Sequence, residues 1–356
     1  MSRLTYIDLP DSATPAYQAD PRRPIRPVPE GARYHRSRMD GTEIRMARPD
    51  DVDEILDCCS VSLGWDNPDF DRALFRWKHE ANPFGRSLIM VAETSSGIVA
   101  ARPFMRWRFR RGSATLNAAR AVDTATRPEA RGKGLFRTLT MSGLEVLRNE
   151  GLDLIFNTPN DQSRPGYLRM DWQEVGRVPF GFRPRSLGSL SRLPGARVAA
   201  SKSSLPESYG IEVCEGLATS ERTLGTSGDL LTSASANTWT TDYDVEALSW
   251  RFDQGPVRYR FIPGPAGSGT ITRTRRRGTA VELLIAATVG KADDSARKAA
   301  MRLAFQRTKA DYCLAPASFP NTITTSRIGP SLTMRTVSTE PTPEQHTWQP
   351  GDIELF

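Results

Sequence analysis

The sequence predicts a mixed α/β protein made of two similar halves, each a sheet flanked by helices. Three observations carry this. Residues 118–156 run as strand, glycine-bearing turn, helix and strand. A block around Trp77 recurs around Trp250, 173 residues later. The strand–helix–strand order then returns over residues 281–315.

Residues 1–42 hold closely spaced Pro21, Pro24, Pro27 and Pro29 among arginines and polar residues, and read as an extended or disordered tail. Glu43-Ile44-Arg45-Met46 alternates as a short strand. Arg48-Pro49-Asp50-Asp51 opens a helix with carboxylates in its first turn, where the helix dipole favours them. Adjacent Cys58 and Cys59 fall on that helix, one of them buried as a small apolar group.

The repeated block aligns Phe70-Asp71, Trp77-Lys78 and Pro83 with Tyr243-Asp244, Trp250-Arg251 and Pro256 without a gap. Each proline leads into an alternating strand, over residues 88–93 in the first half and 257–262 in the second. Residues shared by both blocks, Trp77, Trp250, Phe75 and Leu248, are expected to pack the core. Arg106-Trp107-Arg108-Phe109-Arg110 alternates so that its aromatics share one strand face and its arginines the other, a solvated face.

Residues 118–126 form the next strand, and Pro128-Glu129 turns the chain. Arg131-Gly132-Lys133-Gly134-Leu135-Phe136 then leads into a helix over residues 138–149. A glycine-bearing turn at a helix start exposes backbone N–H groups at the positive end of the dipole, and its glycines let a phosphate come close. Arg131, Lys133 and Arg137 add charge, although Lys133 and Arg137 also suit a solvated helix start. The turn lacks the Gly-Lys-Ser/Thr ending of a Walker loop. The apolar run 152–156 is a buried strand, followed by Asn157-Thr158-Pro159-Asn160 and a short helical piece carrying Tyr167.

This order resembles the Gcn5-related N-acetyltransferase (GNAT) superfamily over residues 43–180. Arg131 and Gly134 fill the first and fourth places of its R/Q-x-x-G-x-G/A loop, and Asn160 and Tyr167 stand seven apart, as in that family. Trp172 falls where the family has the Phe of a Gly-Phe pair. Phe136 departs from the small sixth residue of the loop, and Asp171 replaces the Gly of the pair. The resemblance implies two GNAT-like domains, each a mixed, mostly antiparallel twisted sheet flanked by helices. The expected bounds are a tail at 1–42, a catalytic domain at 43–185, a Ser/Gly/Arg/Pro-rich linker at 186–207 and a second domain at 208–356. The second domain has no R-x-x-G-x-G after its strand at 281–288 and no Asn-to-Tyr pair after its strand at 311–315, so it reads as degenerate.

The resemblance also implies acetyl-CoA as co-substrate and a primary amine as acceptor, the amine attacking directly in a ternary complex. Thr124, Ala125 and Thr126 would lie along the thioester, their backbone donors worth about 2.7–4 kcal/mol each as an oxyanion hole. Residues Arg131 to Arg137 (Gly132, Lys133, Gly134, Leu135 and Phe136 between them) would hold the pyrophosphate, and Asn160 the pantetheine arm. Tyr167 takes the family position of the general acid for the leaving thiolate. Asp123 is the candidate base and Glu93 the alternative. Each has a plainer role open: packing for Tyr167, an Asx turn for Asn160, and structure or an ammonium contact for Asp123.

The chain has 356 residues, 38% hydrophobic and 25% charged, which suits two soluble domains. No run is long and apolar enough to span a membrane, and residues 1–20 lack the pattern of a signal peptide. The four cysteines show neither zinc spacing nor a disulfide framework, and the three histidines are scattered, so no metal and a cytoplasmic location are expected. The net charge of +7 comes without a nucleic-acid motif and fits an anionic cofactor or acceptor better. A small-molecule or amino-sugar amine, met by a monomer or weak dimer, is the expected partner. A Fem-like aminoacyl or acyl transferase, kept open by Phe136, and a non-catalytic acyl-CoA sensor are the alternatives.

Overall fold

The computed structural model describes residues 37–39, 41–196, 198–224, 237–338 and 346–354. Most of the expected tail lies outside them. Two sheets form the protein. The first follows β1 (Ser37–Met39), β2 (Thr42–Met46), β3 (Leu88–Thr94), β4 (Gly97–Arg111) and β5 (Ala114–Ala121) in antiparallel order, with β6 (Ala125–Thr126) continuing β5 along β4. Two helices, α1 (Val52–Leu63) and α2 (Pro68–His79), stand between β2 and β3 in the chain. A third, α3 (Leu135–Asn149), leads from β6 to β7 (Leu154–Asn157), which pairs in parallel with β5. The short α4 (Arg164–Leu168) precedes β8 (Gln173–Arg177). This matches the expected mixed, mostly antiparallel architecture.

Strand β9 (Phe180–Pro184) crosses into the second sheet. After α5 (Val213–Leu224), β10 (Thr240–Thr241) and α6 (Val245–Phe252), that sheet takes β11 (Arg260–Pro263), β12 (Gly269–Arg277) and β13 (Ala280–Val289). Helix α7 (Asp294–Arg307) then leads to β14 (Tyr312–Pro316), parallel to β13 as β7 is to β5. β9 lies between β14 and β15 (Ile323–Thr325), while β16 (Ser331–Thr336) returns to the first sheet between β7 and β8. The first half therefore lends β9 to the second sheet, and the second half lends β16 and the short β10, which pairs with β4, to the first. The C-terminal α8 (Pro350–Ile353) packs beside β13 and β14. Residues 186–207, expected as a linker, contain a 3-10 helix and hydrogen-bond along β12 through Ser201 and Leu205.

Strand alternation decides which residues face which layer. Phe104, Ala119 and Ile155 meet α3 on one face of the first sheet, so closely that a Cβ on Gly143 would fall 2.3 Å from the Phe104 ring. Met105, Trp107, Phe109 and Phe156 face the second half. The aromatics of the Arg-Trp-Arg-Phe-Arg run are thus core, as expected, but its arginines are no solvated face. Arg106 is buried against Glu150, and Arg108 and Arg110 share Asp242 of the second half. Both faces of the strand are covered at Arg106, so that cation needs a buried partner, while Arg108 and Arg110 stay partly exposed. Arg273 and Arg275 meet Glu354 and Glu282 in the same way. Both Cys58 and Cys59 are buried, where one was expected. Among the described residues, no helix is long and apolar enough to cross a membrane.

Candidate active site

β4 faces a broken strand. Between Phe104↔Ala121 and Ala101↔Ala125, the three residues 122–124 oppose only two on β4. This is a β-bulge, and it re-aims the strand at its middle. Asp123 takes the strain with φ +47°, a left-handed conformation that Asp tolerates better than most residues. The parallel ladder of β5 and β7 covers only Ala118–Arg120 against Leu154–Phe156, so the sheet opens beside the bulge. Arg120 bridges this opening on the face turned to the second half, donating to Thr158 Oγ1 at 3.1 Å and to the carbonyls of Asp352 and Ile353. Burial, then nearby Arg251, push Arg120 down to about 9, so it stays charged at neutral pH.

The Asp123 carboxylate is buried. Its Oδ2 lies 2.5 Å from Lys78 Nζ and 3.1 Å from His79 Nε2, both at the end of α2. Burial alone would raise its pKa, but the Lys78 charge and the His79 hydrogen bond hold it down to about 2. His79 is pulled below 6.5 by burial. Neutral and donating from Nε2 to the carboxylate, it accepts at Nδ1 from Ser87 Oγ, 2.8 Å away. An ion-paired carboxylate of this acidity is a poor proton acceptor near pH 7. Its contacts fit a pin for the bulge. Glu93 is committed elsewhere, in an ion pair with Arg45 at 2.6 Å.

On the α3 face, the turn 131–134 is exposed. Gly132 and Gly134 have φ +78° and +72°, and a Cβ at either would meet nothing within 4 Å. Gly134 caps α3 with no side-chain hydrogen bond, so the first N–H groups of the helix remain available. Leu135 sends its side chain into the core, leaving only its backbone at the turn. The Phe136 ring turns inward, edge-on to the Tyr167 ring at 5.2 Å and against Gly166, not over the glycines. Arg131 donates to the Thr126 carbonyl and Arg137 to that of Arg169, while Lys133 is exposed. This turn fits a pyrophosphate: open, uncapped and flanked by cations.

Tyr167 is buried among Phe136 and Trp172. Its hydroxyl accepts from Arg102 Nη1 at 2.7 Å, and the same nitrogen donates to Thr124 Oγ1. Bulge residue Thr124 and helix residue Tyr167 are thereby joined across the opening. Ala125 and Thr126 hold the ladder to Ala101 and Ala100. Asn160 is exposed and accepts from the N–H and Oγ of Ser163, the Asx turn that opens α4. Its side-chain amide N–H groups can still donate.

Sequence reasoning missed Arg102, Lys78 and His79. Arg102 had a signal, since it is a lone charge in the apolar run from Ile98 to Phe104. Lys78 and His79 follow Trp77 in the repeated block, but nothing local ties them to Asp123.

A family model for an acetyltransferase (GNAT) domain matches residues 43–175. Residues 43–175 form a GNAT acetyltransferase domain. The wider fold is similar to a probable N-acyltransferase from Enterococcus faecalis V583, at TM-score 0.55 and 10% identity over 83% of this chain and 73% of that one. A GCN5-related N-acetyltransferase from Kribbella flavida gives 0.54 and 13% over 83% and 72%. One from Anabaena variabilis gives 0.53 and 11% over 83% and 73%. At these identities the likeness concerns the fold, and it extends past the GNAT domain into the second half. No curated protein matches the chain. Among the described residues, no group of three His, Cys, Asp or Glu could hold a metal ion.

Proposed function

We propose that the GNAT domain transfers an acetyl group from acetyl-CoA to a primary amine, by direct attack in a ternary complex. One observation carries the reading: the open glycine turn and the Thr124–Arg102–Tyr167 link lie on the same side of the opened sheet. Acetyl-CoA supplies a thioester carbonyl that an amine can attack. Backbone amides of residues 132–137 would hold its diphosphate, with Arg131, Lys133 and Arg137 adding charge. Thr124 to Thr126 would line the thioester. Asn160 would donate to the pantetheine arm. Tyr167 would give its proton to the leaving sulfur, because its oxygen accepts from Arg102 and its own hydrogen is free to turn elsewhere. Asp123 would act through position, fixing the bulge. The amine would lose its proton to water.

The second half would then wall the acceptor side. A cavity of about 1130 Å³ runs from Thr158 over Phe180, Phe182, Leu284 and Leu314 on the face of the second sheet away from α7. Its apolar floor and the cation of Arg327 on its rim, beside Arg277 already paired with Glu282, suit a small-molecule amine with an apolar body and an anionic group. Because the second half supplies this wall, a monomer suffices. The inward ring of Phe136 leaves the turn clear for an ordinary CoA diphosphate, which favours acetyl transfer over a larger activated donor.

Calorimetric titration of the full chain with acetyl-CoA, together with thiol release over a panel of amines, tests the proposal. Binding with amine-dependent thiol release is expected. Binding without release for any amine would favour an acyl-CoA sensor, and no binding would remove the reading.

A further inference from the structure

Among the described residues, Arg102 is a buried cation without a counter-ion. Its relative exposure is 0%, and among the described residues no carboxylate pairs with it. Nη1 is used twice, on Thr124 Oγ1 and Tyr167 OH. Nε and Nη2 are buried with no hydrogen-bond partner. Three rings surround the guanidinium: Phe104 at 5.0 Å, Phe136 at 5.3 Å and Tyr167 at 5.1 Å. Ring faces compensate a buried cation in part, but two N–H-bearing nitrogens in an apolar cage remain costly to leave unmet. A cation held so dry binds an arriving anion far more strongly than one in water.

The anion that fits is set by what Arg102 already touches. Thr124 stands on the bulge strand and Tyr167 opposite it, the two groups between which the acetyl-transfer reading puts the sulfur. We propose that Arg102 holds the CoA sulfur as a thiolate, so that the leaving group departs as an anion before it is protonated. This proposal rests on that reading. The amine lone pair forms the C–N bond, and the C–S bond breaks with its electron pair on sulfur. The acetylated nitrogen loses one proton to solvent. Nε and Nη2 of Arg102 stabilise the sulfur anion. Tyr167 then passes its hydroxyl proton to sulfur and regains one from solvent. Arg102 is thus a contact for the reacting sulfur as well as the group that orients the Tyr167 hydroxyl. A thiol beside a fixed cation loses its proton more readily, so free CoA should bind with proton release where a thioester binds with none.

The test uses the full chain and three ligands: CoA, acetyl-CoA and desulfo-CoA, titrated calorimetrically in two buffers of different ionisation heat. For the wild type, CoA should release a proton on binding near neutral pH, and desulfo-CoA should not. Arg102→Met should lose that release and about tenfold in CoA affinity at about pH 7, the effect of a thiol moved from about 8.5 in the free ligand to about 6 when bound. Its acetyl-CoA affinity should move less than about twofold, and Arg102→Lys should restore most of the proton release. A purely structural arginine would weaken all three ligands together. Equal proton release by wild type and Arg102→Met overturns the proposal, and so does a wild type that releases none. If Arg102→Met fails to fold, the wild type still decides. Its preference for CoA over desulfo-CoA should grow as pH rises towards the thiol range, and a flat preference overturns the proposal. Acetyl-CoA binding with no thiolate preference sinks the Arg102 role alone, whereas a wild type that binds none of the three sinks the transferase reading with it.

Discussion

Trp77 and Trp250 donate to each other's backbone carbonyl. Trp77 Nε1 lies 2.6 Å from the Trp250 oxygen and Trp250 Nε1 lies 2.9 Å from the Trp77 oxygen, with the rings stacked at a centroid distance of 5.2 Å. The two residues hold matching places in the repeated block, so a local pseudo-twofold axis passes between them. Gly255 makes room, since a Cβ there would fall 2.9 Å from the Trp77 ring. The block that the halves share is also the contact that joins them.

Removing one indole N–H should therefore weaken the whole molecule. Trp77→Phe or Trp250→Phe leaves a buried carbonyl unmet, at about 1–3 kcal/mol each. Trp77→Ala should cost about 3–5 kcal/mol through lost packing. Urea unfolding of the single and double Phe variants measures this. Because the bonds are reciprocal and adjacent, the double variant should depart from the sum of the singles by about 0.5 kcal/mol or more. Strict additivity would mean that the two rings act independently.

The repeat, the glycine turn and the Asn160-to-Tyr167 spacing were legible because each is local, a pattern of period or offset. The order of strands 42–46, 88–94 and 154–157 came through for the same reason. The exchange of Phe180–Pro184 for Ser331–Thr336 was not legible, since an extended segment carries no mark of which sheet it joins. Tertiary pairing also turned the Arg106 side of its strand from a solvated face into ion pairs, buried at Arg106 and partly exposed at Arg108 and Arg110. Asp123 was found by its position beside the thioester segment, but its role depends on Lys78 and His79, 45 and 44 residues away in the chain.

Acid should expose the Lys78–His79–Asp123 cluster in two stages. Burial holds His79 below 6.5, so the unfolded chain binds its proton first. The unfolded state then carries more protons, and stability falls as pH drops below about 6.5. Asp123 is held down to about 2 from 3.8, and its contribution is lost as pH falls through that lower window. His79→Gln should flatten the first slope and spare the second. Urea midpoints from about pH 8 to about pH 2 check it: a parallel fall in wild type and variant above about pH 5 would place the first slope elsewhere.

Tyr167→Phe should lower turnover by about 10²-fold or more, the scale of a lost general acid. Acetyl-CoA affinity should stay nearly constant, because the ring and its contacts with Phe136 and Trp172 persist. Stability should also drop, by about 1–3 kcal/mol, since Arg102 Nη1 loses a buried acceptor. Steady-state kinetics and a thermal melt separate the two effects. A variant as fast as the wild type would assign the proton to water.

The turn into α3 can be probed without disturbing the fold. A side chain at Gly134 meets nothing within 4 Å, and both Asn and Asp tolerate a φ of +72°. Gly134→Asn and Gly134→Asp should therefore strain the backbone about equally and differ mainly in charge. A carboxylate there faces the same N–H groups as the diphosphate and repels it. Acetyl-CoA affinity should fall about tenfold or more in Gly134→Asp, roughly 1.4 kcal/mol, and much less in Gly134→Asn. Added salt should narrow the gap by screening the exposed charges. Equal affinities for the two variants, with or without salt, would put the diphosphate somewhere other than this turn.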